Sequence, residues 1–288
     1  MTAPSYDELI RAAAKALADA GIEEPRQNAM LLMLAAFGDT RAALISAGNE
    51  TVPKAVEDAF AAALARRLTR EPVQHILGHT GFYGLEVRSD ARALVPRPDS
   101  EIVVEAALDL LPKGVPARVA DLGTGTGCLL AALLSQRPRV TGTGVEASTA
   151  AASLARENFA QLGLSARALV YEGSWTSWGG WGEVDLVISN PPYIASAEIE
   201  SLSPEVRRFD PLAALDGGED GLAAYREIIA LGRAKMKRGV PLVLEIGHDQ
   251  RATVLDLLGA AGYSGTGYRR DLGGNDRAVW GLAPGPYH

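Results

Sequence analysis

A short apolar run, Val184 to Ile188, ends in Ser189-Asn190-Pro191-Pro192-Tyr193-Ile194, and this ending is the first place where the residue types suggest chemistry. The run reads as a buried strand. Proline has no N–H to give a neighbouring strand, so the ladder stops at Pro191. Asn190, preceding a proline, is driven from the helical region into an extended conformation. The product is a stiff loop at the carboxyl end of a strand, presenting the Asn190 amide, the Pro191 carbonyl and the Tyr193 ring. A primary amide or exocyclic amino group carries two N–H donors in one plane. Asn190 Oδ1 and the Pro191 carbonyl can accept one each, and neither Pro191 nor Pro192 brings a backbone donor that competes. Tyr193 can pack on the flat face of such a group. The same residues also suit a rigid turn with a surface tyrosine, and this stretch alone does not separate the two.

A second group lies upstream. Asp121-Leu122-Gly123-Thr124-Gly125-Thr126-Gly127 follows one predicted strand directly and opens a helix. Its glycines let the backbone turn tightly and let a ligand approach without Cβ obstruction. The spacing is G-x-G-x-G with Cys128 next, so the dinucleotide fingerprint fails at its third glycine. Glu146 ends the following strand, where a carboxylate can accept hydrogen bonds from both ribose hydroxyls of a nucleoside. Loop, acid and Asn190 converge on the carboxyl edge of one sheet. A nucleoside cofactor without a pyrophosphate suits them, which points to S-adenosylmethionine. Asp121 stays open between holding the cofactor's ammonium group through water and fixing the glycine loop.

The elements that must position these residues follow from pattern. Ser5 with Glu8 makes a capping box for a helix ending at Gly21, Pro25 starts a second helix, and Pro53 opens another through Leu68. Residues 1–72 therefore read as a small all-helical domain, either a packing module or a recognition domain for a macromolecular substrate. In 73–98, Gly78, Gly81 and Gly84 break helices, and Phe82, Leu85 and Val87 suggest a hairpin-like connector. His75 and His79 are four apart, but with the helix denied they read as loop residues, and no metal site is expected. From 99 to 288 strand and helix alternate, with strands near 118–122, 140–145, 168–171, 184–189, 241–246, 267–269 and 277–280. This alternation predicts an α/β, Rossmann-like domain with a mostly parallel seven-stranded sheet.

Composition narrows the function classes. A chain of 288 residues, 47% hydrophobic and 22% charged, has core material for about two domains. Its net charge of -7 argues against direct nucleic-acid binding through phosphates. The single cysteine, Cys128, forms no internal disulfide, no apolar run reaches membrane-spanning length, and the N-terminus is acidic, so a cytoplasmic location is expected.

Taken together, the chain resembles the class I S-adenosylmethionine-dependent methyltransferases, and more closely the release-factor glutamine N5-methyltransferases (PrmC/HemK). The resemblance covers nearly the whole sequence. It rests on Glu71-Pro72-Val73-Gln74-His75-Ile76-Leu77-Gly78, on Val95-Pro96-Arg97-Pro98-Asp99-Ser100-Glu101, on the glycine loop and on Asn190 to Ile194. Phe209-Asp210-Pro211, Leu215-Asp216-Gly217-Gly218, Glu245-Ile246-Gly247 and Asp271-Leu272-Gly273-Gly274-Asn275-Asp276-Arg277 belong to it too. It implies methylation of the glutamine in the Gly-Gly-Gln tripeptide of peptide chain release factors, held in part by the helical domain. It also implies that Gly123 to Gly127, Glu146, Trp175 and Asn190 line the cofactor site and that Asn190, Pro191, Pro192 and Tyr193 hold the glutamine. The chain departs from the family at Glu146, where Asp is usual, and at Ser174, where Asp is frequent. Two rivals share these residues: a methyltransferase of an exocyclic base amino group, which calls for a basic face, and a regulator that keeps the cofactor fold without catalysis.

Overall fold

The computed structural model describes residues 3–286, and the chain divides into two compact units. One runs through His79 and takes in the short helix Pro204–Phe209; the other holds the rest. In the first unit, Ser5 and Glu8 form the reciprocal capping box, with Glu8 N on Ser5 Oγ at 3.3 Å and Ser5 N on Glu8 Oε2 at 2.8 Å. It starts α1 (Tyr6–Asp19), which buries Tyr6, Ile10, Ala13 and Leu17 at helical spacing. α2 (Pro25–Phe37), α3 (Arg41–Ser46) and α4 (Lys54–Leu68) follow, and Leu32, Met33, Leu44 and Phe60 close the core. Val73–Leu77 is a further helix, α5, inside the stretch read as connector. Gly78 ends it in the left-handed conformation (φ 79°), so this glycine terminates a helix where the sequence reading took it to forbid one. His75 is therefore a buried helical residue and His79 opens a strand, and neither is the loop residue expected.

In the second unit, β1 (His79–Phe82) and β2 (Leu85–Arg88) pair as a separate two-stranded sheet. A 3₁₀ turn at Pro98–Ser100 leads into α6 (Glu101–Leu110). Then come β3 (Ala117–Leu122), α7 (Cys128–Gln136), β4 (Val140–Glu146), α8 (Thr149–Gln161), β5 (Ala168–Glu172) and β6 (Leu186–Ser189). After the helix Pro204–Phe209 (α9) follow α10 (Ala223–Lys235), β7 (Pro241–Glu245), α11 (Arg251–Ala260), β8 (Ser264–Arg270) and β9 (Asp276–Leu282). The seven-stranded sheet has the order β5-β4-β3-β6-β7-β9-β8, and β9 runs opposite to the other six strands. This is the mostly parallel α/β sheet that the alternation predicts, and the fold that the resemblance to class I methyltransferases implies.

Strand residues alternate between two cores. Val119, Ile188 and Val243 pack with α6, α7 and α8, while Ala120, Leu122, Val187, Leu242 and Leu244 pack with α10 and α11. The chain winds outward from β3 through β4 to β5, then returns to lay β6 on the other side of β3. That reversal opens a crevice at the carboxyl ends of β3 and β6, the usual ligand position of such sheets. Between β6 and α10 the sequence pattern shows no element, yet 3₁₀ turns form at Ser196–Ser201 and Leu212–Ala214. Pieces this short carry no periodicity to read. Among the described residues, no helix is long and apolar enough to cross a membrane.

Candidate active site

A cavity of about 340 Å³ occupies the crevice. Its floor is the loop after β3, Gly123 to Thr126, continued by Cys128 and Leu129. Glu146 to Ser148 after β4 and Gly173 to Trp175 after β5 form one side; Asn190 and Pro192 after β6 form the other. Two segments complete the wall, Arg92 to Arg97 and the Pro211–Ala214 region, and Asp210 ties them together. Asp210 is buried and accepts Val95 N at 3.3 Å and Arg97 Nη2 at 3.1 Å. Burial pushes its carboxyl above the ordinary range, and the Arg97 guanidinium pulls it back.

The glycine loop is locked to the sheet. Gly123 N and Thr124 N both donate to the Val145 carbonyl, at 2.8 and 3.2 Å. Gly127 has φ 81°, and a Cβ there would stand 2.8 Å from the Phe159 ring, so only glycine fits this start of α7. Glu146 accepts Gly125 N through Oε2 and Ser148 N through Oε1, each at 2.9 Å. Each carboxylate oxygen has a second lone pair, so Glu146 shapes the loop and still accepts from a ligand. Trp175 lies across Gly123, and its Nε1 donates to Glu227 Oε2 at 2.5 Å. Ser174 is turned to Thr176, with the hydroxyls 2.8 Å apart.

Asp121 does not line the cavity. It is wholly buried, accepts the Thr124 hydroxyl through Oδ2 at 2.6 Å, and keeps Oδ1 without a partner. Of the two readings the sequence left open, its contacts match the one that fixes the loop. Burial pushes its carboxyl up to about 7, against the pull of Thr124 and with a further push from Glu146. In the unfolded chain Asp121 titrates near its ordinary value of about 3.9, so between that pH and about 7 only the native state holds its proton. Its contribution to stability is present below the unfolded value and is lost as pH rises toward the folded one. Urea titrations of the ligand-free chain across pH 4–7 are expected to show a smaller fall in stability for Asp121→Asn than for the wild type. Equal slopes would show that the native carboxyl is already ionised.

Within Asn190 to Tyr193, only Asn190 and Pro192 line the cavity. Asn190 Nδ2 donates to Ser100 Oγ at 3.4 Å, which leaves Oδ1 as the free acceptor. Pro191 is buried. Tyr193 packs against the core beside α10 and α11 rather than standing over the cavity. Burial, aided by Glu245, pushes its hydroxyl up to about 12. Gln250 braces the loop from beneath: its Nε2 donates to the Tyr193 carbonyl at 2.9 Å, and its Oε1 accepts Gly247 N at 2.9 Å and the Tyr225 hydroxyl at 3.2 Å. Cys128 lines the cavity as a thiol, pushed up to about 12 by burial. The sequence reading assigned no role to Arg92, Ser100, Glu227 or Gln250. Glu227 and Gln250 belong to ordinary amphipathic surroundings, and only the fold brings them to the site.

Comparison with known proteins adds a separate line. Residues 8–78 match the family model described as the PrmC N-terminal domain, and residues 101–204 match the Methyltransferase small domain. The release factor glutamine methyltransferase of Caulobacter vibrioides is 40% identical over 271 residues, covering 94% of this chain and 94% of its own. That of Rhodospirillum rubrum is 43% identical over 260 residues, covering 90% of this chain and 79% of its own. Among solved structures, a methyltransferase from Pyrococcus furiosus matches 69% of this chain and 89% of its own with a TM-score of 0.52 at 16% identity, a likeness of fold alone.

Proposed function

This chain belongs to the release factor glutamine methyltransferases, and on that premise we propose that it methylates the side-chain amide nitrogen (N5) of a release-factor glutamine, the one in the Gly-Gly-Gln tripeptide. The methyl donor is S-adenosylmethionine. The observation that carries the assignment of roles is the Asn190 amide, which lines the cavity and donates one N–H to Ser100 Oγ at 3.4 Å, leaving Oδ1 to accept.

The residues present fit the donor. Gly123 to Gly127 form a loop free of side-chain obstruction, Glu146 offers two oxygens with spare lone pairs for ribose hydroxyls, and Trp175 offers a flat apolar wall. Glu227, which accepts from Trp175 Nε1, adds a carboxylate to the cavity lining. When bound, S-adenosylmethionine supplies a methyl group activated by a sulfonium centre. An amide nitrogen is a weak nucleophile because its lone pair is delocalised into the carbonyl, so positioning is what the protein must provide. Asn190 Oδ1 accepts one N–H group, and the family resemblance gives the other to the carbonyl of Pro191, a residue buried between two cavity-lining positions, so that the plane of the glutamine amide is fixed. The attraction of both acceptors grows as positive charge develops on the nitrogen. Pro192 walls the approach, and Tyr193 with Gln250 holds the loop rigid. The methylated nitrogen is acidic, so its proton leaves without a dedicated base.

We also assign residues 1–72 to release-factor recognition, 73–98 to the connection and 99–288 to catalysis. The cytoplasm is the proposed location, in keeping with a lone, buried Cys128.

Purified chain incubated with methyl-labelled S-adenosylmethionine is expected to label release factor, with the label mapping to the glutamine. Bulk nucleic acid in a parallel reaction is expected to stay unlabelled, and label on nucleic acid alone overturns the proposal. Glu146→Ala removes acceptors that contribute about 1.5–3 kcal/mol per charged hydrogen bond, so cofactor Kd by calorimetry is expected to rise at least about tenfold. An unchanged Kd would dismiss Glu146 as a cofactor contact.

A further inference from the structure

We infer that Ser100 and Glu245 together set which way round the Asn190 amide faces, making both of them positioning residues for the methyl-accepting group. This rests on the reading that Asn190 Oδ1 accepts a substrate N–H. An asparagine presents an acceptor at one end of its amide and two donors at the other, and a half-turn exchanges them. Against a glutamine NH₂ the wrong orientation sets donor against donor. The pocket must therefore hold one orientation before substrate arrives.

The hydroxyl that touches Asn190 does not decide this by itself. Ser100 Oγ accepts from Asn190 Nδ2, but a serine hydroxyl can equally donate, and would then favour the opposite flip. The outcome depends on where the Ser100 hydrogen goes. Ser100 is 3% exposed, so water is a poor destination. Glu245, on the strand next to β6, is the acceptor whose charge Ser100 favours. β6 and β7 run parallel with Ser189 opposite Leu244, so Asn190 and Glu245 are the next residues along this pair. Glu245 is 2% exposed, and its Oε2 is buried with no hydrogen-bond partner. An ionised carboxylate only accepts. With the Ser100 hydrogen directed to Glu245, Oγ is left to accept from Asn190, and the amide is held with Oδ1 toward the cavity.

Burial sets the pH above which Glu245 holds that form. Ser100 and Arg277 favour its charge, as does the Tyr193 hydroxyl, while burial and Asp99 oppose it and leave the carboxyl near about 7. Tyr225 faces it from α10, its hydroxyl donating to the Glu245 carbonyl at 2.9 Å, and the Cys128 thiol faces it from α7. A protonated Glu245 could donate to Ser100 and free the serine hydrogen for Asn190.

The test compares full-length wild type, Ser100→Ala, Ser100→Cys, Glu245→Gln and Asn190→Ala for kcat and KM with release factor, and for S-adenosylmethionine Kd. Ser100→Ala is expected to lower kcat about tenfold or more while cofactor Kd stays within about twofold. Ser100→Cys restores the volume but hydrogen-bonds weakly, and is expected to be as slow as the alanine variant. Glu245→Gln is expected to be slow and to lose the decline in kcat expected of the wild type as pH falls through about 7. Should Glu245→Gln fail to fold, the two serine variants still decide. Wild-type kcat in Ser100→Ala, or recovery in Ser100→Cys, overturns the inference. Turnover retained by Asn190→Ala would instead remove the reading beneath it.

Discussion

Asn190→Ala is expected to lower methyl transfer to release factor by about 10²- to 10³-fold or more while leaving cofactor binding largely intact. The asymmetry follows from how the cavity is built. The proposed donor-binding end rests on the glycine loop and Glu146, which are tied to β3, β4 and their own backbone amides and make no hydrogen bond to Asn190. Asn190 stands just past the end of β6, with Nδ2 donating to Ser100 Oγ. Truncation removes the one side-chain acceptor that orients the glutamine nitrogen and that strengthens as charge develops there. The Pro191 carbonyl is left to hold a single N–H, and the amide can rotate about it. Single-turnover rates at saturating release factor, with calorimetric Kd for S-adenosylmethionine, separate the two effects. Near-normal turnover would break the account of Asn190. A parallel collapse of cofactor affinity would make Asn190 a cofactor residue first.

Glu205→Ala is expected to destabilise the helical unit by about 3 kcal/mol, the low end for stranding a buried charge. Arg67 is 5% exposed inside this unit and spends its guanidinium on three partners. Nε donates to Asn28 Oδ1 at 2.8 Å, Nη1 to the Glu71 carbonyl at 3.1 Å and Nη2 to Glu205 Oε1 at 3.0 Å. Arg70 pairs with the other Glu205 oxygen at 3.1 Å. Asn28 is itself buried, its Nδ2 donating to the Glu23 and Glu24 carbonyls at 3.2 and 3.0 Å. Glu205 is the acid that neutralises two arginines here, and its loss leaves Arg67 charged and without its anionic partner. For a domain of this size each kcal/mol shifts Tm by about 4–8 °C, so the helical transition is expected to fall by more than about 10 °C. Hydrogen exchange resolves it: amides of α1, α2 and α4 should lose protection while those of β3, β4 and β6 keep it. Unchanged protection in the helices would show that the Glu205 pairs contribute little.

Much of this was legible in residue order. The capping box at Ser5, the glycine loop after β3, the acid ending β4 and the proline-stopped β6 are local devices whose meaning depends on neighbours in sequence. Alternating strands and helices then place three of those devices on one sheet edge, because parallel strands bring their carboxyl ends together. The short α5 was misread because the test applied was composition: a glycine that ends a helix and one that prevents it look alike in sequence, and φ tells them apart. Tyr193 was expected to face the ligand. Its ring instead packs, half-buried, against the core beside α10 and α11.

By itself the sequence determined the fold class and the family, since each rests on periodicity, turn chemistry or a contiguous motif. Tertiary structure alone decided which polar groups meet. Ser100 reaches Asn190, Gln250 reaches the Tyr193 carbonyl, Glu227 reaches Trp175 and Glu205 reaches Arg67, each across dozens of residues of chain or more. Such pairings leave no local trace: a buried polar group must find a partner, but sequence does not say which distant one the packing will deliver.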